Sequence, residues 1–167
     1  INDHTRISLG RIIAEQADAA PDGEFLLFDG RVHTYEAVNR RIDNVVRGLI
    51  EVGVRQGTRV GVLMDTRPSA LVAIAALSRL GAVAVLLPPD ADLEQAAKLG
   101  GITDLVTDPA NLAAAAALQV QVLVLGGGLA GLSAASKLAR AGWRVTVVEA
   151  DETVGGLASS GTRVTRW

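Results

Sequence analysis

What most constrains this chain is an alternation, over residues 59–149, of short apolar runs with longer helix-like segments. The runs are "RVGVLM" (59–64), "AVAVLL" (82–87), "DLVT" (104–107), "VLVL" (122–125) and "RVTVVE" (144–149). Most place Val, Leu or Ala at consecutive positions, so both faces of each strand need cover. Between them lie segments of helical character: 68–80, opened by Pro68; 92–99, opened by Asp92; the alanine-rich 111–118; and 129–141. Proline's fixed φ and missing N–H suit a first helical turn. Strands of this kind joined through helices predict a parallel sheet covered by helices, built with right-handed crossovers.

Upstream, Ser8 is the expected cap of a helix carrying Leu9, Ile12, Ile13 and Gln16, which Pro21 ends. "EFLLFDGRVHTY" predicts a hairpin, with Asp29-Gly30 supplying the positive φ of a type I′ turn. Thr34 caps the next helix, where Val38, Ile42, Val45 and Leu49 form one apolar stripe and Gly53 marks the stop. The expected fold is therefore α/β: a mostly parallel sheet of roughly five strands with flanking helices, preceded by a helix, a β-hairpin and a second helix.

Composition narrows the function. Hydrophobic residues make up 49% of the 167 and charged residues 20%, which describes a globular chain. A net charge of −2 with scattered basic residues argues against a nucleic-acid partner. There is no cysteine, so thiolate metal sites and Cys nucleophiles are excluded, and His4 and His33 stand far apart; no metal site is expected. The apolar stretch 70–89 is broken by Arg79 and Gly81 and reads as helix–turn–strand, not as a membrane span. With no amino-terminal signal pattern, a cytoplasmic location is expected. The chain begins at Ile1, so its true start is expected to lie upstream; residues 161–167 are expected to be a disordered tail.

The segment 121–156, "QVLVLGGGLAGLSAASKLARAGWRVTVVEADETVGG", has the order of a Rossmann-type βαβ unit. Gly126 would allow the turn out of the strand, Gly128 a close backbone approach to a pyrophosphate, and Gly131 tight helix–strand packing. Together with Gly127, Leu129 and Ala130 they place GGGLAG at a helix N-terminus, whose free N–H groups suit phosphate. Glu149 ends the second strand, where an acid can accept from a ribose hydroxyl. This segment resembles the amino-terminal FAD-binding region of flavin-dependent amine oxidases, phytoene desaturases and UDP-galactopyranose mutases. Gly155 and Gly156 match the glycine pair those families place after the ribose acid, and the resemblance implies FAD more than NAD as cofactor. No catalytic residue is assigned.

Residues 1–118 resemble a different group, the start of adenylate-forming enzymes of the acyl-CoA synthetase and AMP-ligase superfamily. The resemblance rests on "TYEAVNRRIDNVVRGLIEVGVRQGTRVGVLM" and "ALVAIAALSRLGAVAVLLPP", with Thr34-Tyr35, Gly53-Val54, Gly57 to Val60, Gly81-Ala82 and Pro88 at the family's positions. It implies ATP-dependent activation of a carboxylate, usually on the way to a thioester. That chemistry uses a Ser/Thr/Gly-rich phosphate loop ending in Pro-Lys, an adenine-site acid, a ribose-binding Asp and a later Lys, none of which this chain carries. Its two lysines, Lys98 and Lys137, lie in no such loop.

Two expectations follow. The domains divide at about 118/119: 1–118 as the opening of an AMP-binding domain, and 119–160 as the opening of a FAD/NAD(P)-binding unit, fused near the shared "VLVLGGG" and both truncated. The retained function would then be FAD binding through the glycine turn, from a flavin-dependent oxidoreductase; the alternative is a non-catalytic fragment of a carboxylate–CoA ligase. Either form would associate with another chain to complete its fold, and would be inactive alone.

Overall fold

The structure, a computed structural model, describes residues 7–126, 129–140, 142 and 145–149. Helix α1 (Leu9–Ala19) is followed by strands β1 (Glu24–Phe28) and β2 (Arg31–Thr34) and helix α2 (Tyr35–Glu51). The alternating part then runs β3 (Arg59–Leu63), α3 (Pro68–Leu80), β4 (Val83–Leu86), α4 (Leu93–Gly100), β5 (Asp104–Thr107), α5 (Leu112–Ala115), β6 (Gln121–Leu125), α6 (Leu129–Arg140) and β7 (Val145–Val148).

Local chemistry sets these boundaries. Ser8 Oγ accepts from the Arg11 N–H, Thr34 Oγ1 from Ala37 and Asp92 Oδ1 from Gln95, each satisfying a donor that the first helical turn leaves open. Asp29 and Gly30 adopt φ of 50° and 70°, as a type I′ hairpin turn requires. The hairpin forms its own two-stranded antiparallel sheet. It is tied to the start of α2 by the tilted Phe25–Tyr35 ring pair, whose centroids stand 4.9 Å apart.

Strands β3 to β7 form one five-stranded sheet in the order β4-β3-β5-β6-β7, parallel throughout. The chain steps one way from β3 to β4, then crosses back over β3 to β5 and continues outward. Right-handed connections therefore place α3 on one face and α4, α5 and α6 on the other. Side-chain alternation obeys this division. Val60, Val62, Val106, Leu123, Leu125 and Val148 pack under α1, α2 and α3, in one core with Ile13, Ile42, Val45, Leu49 and Leu77. Leu63, Leu105, Val122, Val124 and Val145 face the other way, against Ala97, Leu112, Ala115 and Ala135. Burying each Val or Leu of these two layers contributes on the order of 1.5–3 kcal/mol, so both faces are needed to hold the sheet.

Arg79, which interrupts the apolar stretch, joins the three helices of the first face. From α3 its guanidinium donates to the Gly10 carbonyl of α1, to Asn39 Oδ1 of α2 at 2.7 Å, and to Asp43 of α2. The alanine-rich segment expected to be helical over 111–118 forms only the single turn Leu112–Ala115. Leu112, Ala115 and Leu118 must all reach the core within a short connection from β5 to β6, and that packing overrides alanine's helix propensity. Among the described residues no helix is long and apolar enough to cross a membrane.

Candidate functional site

In an open parallel sheet, the place for a ligand is the crevice beyond the carboxyl ends of the strands, where the strand order reverses. Here the reversal lies between β3 and β5. Two acids stand at that point, Asp65 after β3 and Asp108 after β5. Asp108 is 6% exposed. One of its carboxylate oxygens accepts the Asp65 backbone N–H at 2.8 Å. The other accepts the Asn111 backbone N–H at 3.0 Å and Asn111 Nδ2 at 2.9 Å. The same Nδ2 reaches Asp65 Oδ1 at 3.0 Å, and Thr107 Oγ1 donates to the Leu63 carbonyl at 2.8 Å. The reversal point is thus closed by the protein's own hydrogen bonds.

One strand away, a cleft of about 410 Å3 opens at the carboxyl ends of β3 and β4. Its walls are mainly apolar, with Met64, Leu71, Ile74, Leu86 and Pro88 among them, and Thr66 and Arg67 at its polar margin. Arg67 lies 3.9 Å from Asp65, and both side chains are substantially exposed. Arg67 is the one cation among the described residues of the loops at this edge. Lys98 and Lys137 occupy the last turns of α4 and α6, at the opposite end of the sheet. Sequence reasoning overlooked the Asp65–Asp108–Asn111 cluster. Its only signal was an acid directly after each of two apolar strands.

The glycine turn is placed as follows. Gly126 leaves β6 with φ of 116°, open to glycine alone, and its N–H donates to the Val148 carbonyl at 2.9 Å. A methyl group on Gly131 would stand 1.9 Å from the Gly126 carbonyl oxygen, so this glycine lets α6 close onto the end of β6. Leu129 and Ala130 open α6, and Glu149 follows β7 beside the Gly126 turn. Gly127, Gly128, Gly155 and Gly156 lie outside the described residues. The Gly126 amide, the first donor of the expected anion cradle, is therefore committed to the sheet ladder.

The profile of the AMP-binding enzyme family matches residues 13–148 without a break. The chain belongs to that family. The chain is similar to tyrocidine synthase 1 of Brevibacillus parabrevis, 34% identical over 74 residues, which are 44% of this chain and 7% of that protein. Among solved structures, the N-terminal subdomain of Klebsiella oxytoca NpsA in complex with 3-hydroxyanthranilyl-AMSN superposes with a TM-score of 0.57 at 21% identity. That match covers 60% of this chain and 26% of the subdomain chain. The N-terminal domain of Mycobacterium tuberculosis FACL13 gives 0.62 at 18% identity, covering 66% of this chain and 30% of that one. At such identities the two structures establish the fold. The chain spans under a third of each of these three proteins.

These findings overturn the expectation of a FAD-binding function from a flavin-dependent oxidoreductase. The AMP-binding match continues through β6, α6 and β7, and both strands are members of the same sheet as β3. No comparison supports a joined flavin unit, and the alternative reading, a portion of a carboxylate-activating ligase, is the better one. An apolar strand ending in glycines serves an AMP-binding sheet as well as a flavin-binding one, and that ambiguity produced the error.

Proposed function

We propose that this chain supplies the opening α/β scaffold of an adenylate-forming enzyme, which activates a carboxylate with ATP, and that it forms no acyl-adenylate alone. The observation that carries the reading is the unbroken family match from Ile13 to Val148 over a single folded sheet.

Electrostatics support the scaffold role. Transfer of the adenylyl group from ATP to a carboxylate, with pyrophosphate leaving, needs fixed positive charge where the phosphates lie. Among the described loops at the carboxyl edge only Arg67 offers it, and Asp65 stands beside it. Both lysines project from the far end of the sheet. ATP–pyrophosphate exchange tests the reading in two arms. The chain alone, given amino acids and fatty acids, is expected to show background exchange only. An intact AMP-binding relative whose matching segment is replaced by residues 13–148 is expected to retain exchange. Exchange by the chain alone, or its loss in a chimera that circular dichroism shows to be folded, contradicts the proposal.

A further inference from the structure

The dipeptide Asp-Gly occurs twice in the chain, as Asp22-Gly23 and Asp29-Gly30. It is a labile pair, because a glycine amide nitrogen is unhindered enough to close a five-membered ring on the preceding aspartyl carboxyl. The fold treats the two copies differently. Asp22-Gly23 belongs to the joint between α1 and α2. The Gly23 N–H donates to the Ala20 carbonyl at 3.0 Å, the Gly23 carbonyl accepts from Tyr35 at 3.0 Å, and the Pro21 carbonyl accepts from Glu36 at 3.1 Å. A methyl group on Gly23 would meet the Ala20 oxygen at 3.0 Å and the Tyr35 ring at 3.2 Å. Asp29 and Gly30 form the exposed tip of the hairpin. Among the described residues, the Gly30 N–H has no protein acceptor and the Asp29 carboxylate has no partner. Apart from its chain neighbours, nothing lies within 4 Å of a methyl group placed on Gly30. The arms beside the tip bury little, with Leu27 69% and Val32 49% exposed.

We propose that Asp29 is a site of spontaneous isoaspartate formation in the folded chain, and that the joint protects Asp22 from the same reaction. Backbone conformation favours Asp29. Among the described residues it is the one non-glycine with positive φ, at 50°. Ring closure must bring the Gly30 nitrogen into line with the Asp29 Cβ, which places ψ at about −120°, the value of a type II′ turn with φ still positive. One flip of the Asp29–Gly30 peptide unit therefore converts the type I′ turn into the reactive form, and both turns suit a two-residue hairpin. The Gly30 nitrogen, yielding its proton to water, then attacks Cγ of the protonated carboxyl. The N–Cγ bond forms, the Cγ–OH bond breaks, and water leaves. Water reopens the imide at either carbonyl. Cleavage of N–Cγ restores aspartate. Cleavage at the Asp29 main-chain carbonyl leaves that group as a free carboxylate and routes the chain through the side chain. The added methylene lengthens the turn that sets the strand register, so the Phe28–Arg31 pair is lost.

Incubating the folded chain in heavy-oxygen water tests this, since each passage through the imide leaves one heavy oxygen behind. Trypsin, applied afterwards in ordinary water, releases residues 12–31 as one peptide carrying both sites. Electron-transfer fragments then locate the label and the isoaspartate within it. Label at Asp29 is expected to accumulate at least about tenfold faster than at Asp22, where three backbone hydrogen bonds must open and each is worth a factor of roughly two to ten. In urea the two pairs present the same reacting residues, and their rates are expected to agree within about twofold. Equal labelling of the two sites in the folded chain overturns the proposal, as does faster labelling at Asp22 or a folded chain labelled at neither. So does a preference for Asp29 that persists unchanged in urea, since the fold would then not be its cause.

Discussion

The Asp108 carboxylate accepts the backbone N–H of Asp65 at 2.8 Å, joining the ends of β5 and β3 where the strand order reverses. Asn111 completes the junction by donating to both acids. A position that many parallel-sheet proteins leave open for ligand is here a structural joint, and its weight lies on Asp108. Replacing Asp108 with Ala leaves the N–H groups of Asp65 and Asn111 without their acceptor in a buried place. A loss of about 2–3 kcal/mol is expected, since hydrogen bonds to a charged group contribute roughly 1.5–3 kcal/mol each and partial rearrangement recovers some of it. Urea unfolding followed by circular dichroism measures it. A change under about 0.5 kcal/mol, the range of ordinary surface substitutions, would show that the joint carries no load.

Asp65 is the exposed partner of the same cluster, with 41% of its side chain open to solvent. Its Ala variant is expected to cost less than about 1 kcal/mol, because water replaces the lost contacts with Asn111 and Arg67. The ranking of the two variants in urea is the check, and a larger loss for Asp65 than for Asp108 would reverse the assignment.

Arg79 holds α1, α2 and α3 together through Gly10, Asn39 and Asp43. Its side chain is 19% exposed, so these contacts lie largely out of solvent. Arg79→Met keeps the stem but removes every donor, and a loss of about 1–3 kcal/mol is expected. Arg79→Lys is expected to recover only part of it, since an ammonium cannot reproduce the planar fork that meets several acceptors. Equal stability of the Lys variant and the wild type would argue against the fork.

Gly131 stands so close to the end of β6 that an added methyl meets the Gly126 carbonyl oxygen at 1.9 Å. The obstacle is backbone, which cannot rotate away as a side chain can. Gly131→Ala is therefore expected to destabilise by about 1–3 kcal/mol, the usual cost of overpacking. Ser133→Ala on the exposed side of α6 serves as the control, expected to change little. An unperturbed melting temperature in the Gly131 variant would place α6 farther from β6.

Much of this fold was legible in the sequence because its signals are local. Ser8, Thr34 and Asp92 cap the helices they precede, and Asp29-Gly30 turns the hairpin, through contacts within three residues. Val-Leu runs announce two-sided burial, and the sheet follows. What stayed hidden depends on long separations. The separation of 43 positions between Asp65 and Asp108 carries no pattern that would pair them. The position of β4 outside β3 depends on the direction of one crossover. The glycine turn misled because its local chemistry is real: Gly126 needs its positive φ and Gly131 its close approach, in either family. Only the reach of the family match past residue 118 decided between them.

Native-state hydrogen exchange at Val62, Val106 and Val124 tests most directly whether β3, β5 and β6 belong to one cooperative sheet. Pairing in register across all three strands requires their amides to exchange through the same global unfolding, with equal opening free energies and equal denaturant dependence. If Val124 opened at a distinctly lower free energy while Val62 and Val106 stayed protected, β6 would belong to a separate unit and the single AMP-binding sheet would be contradicted.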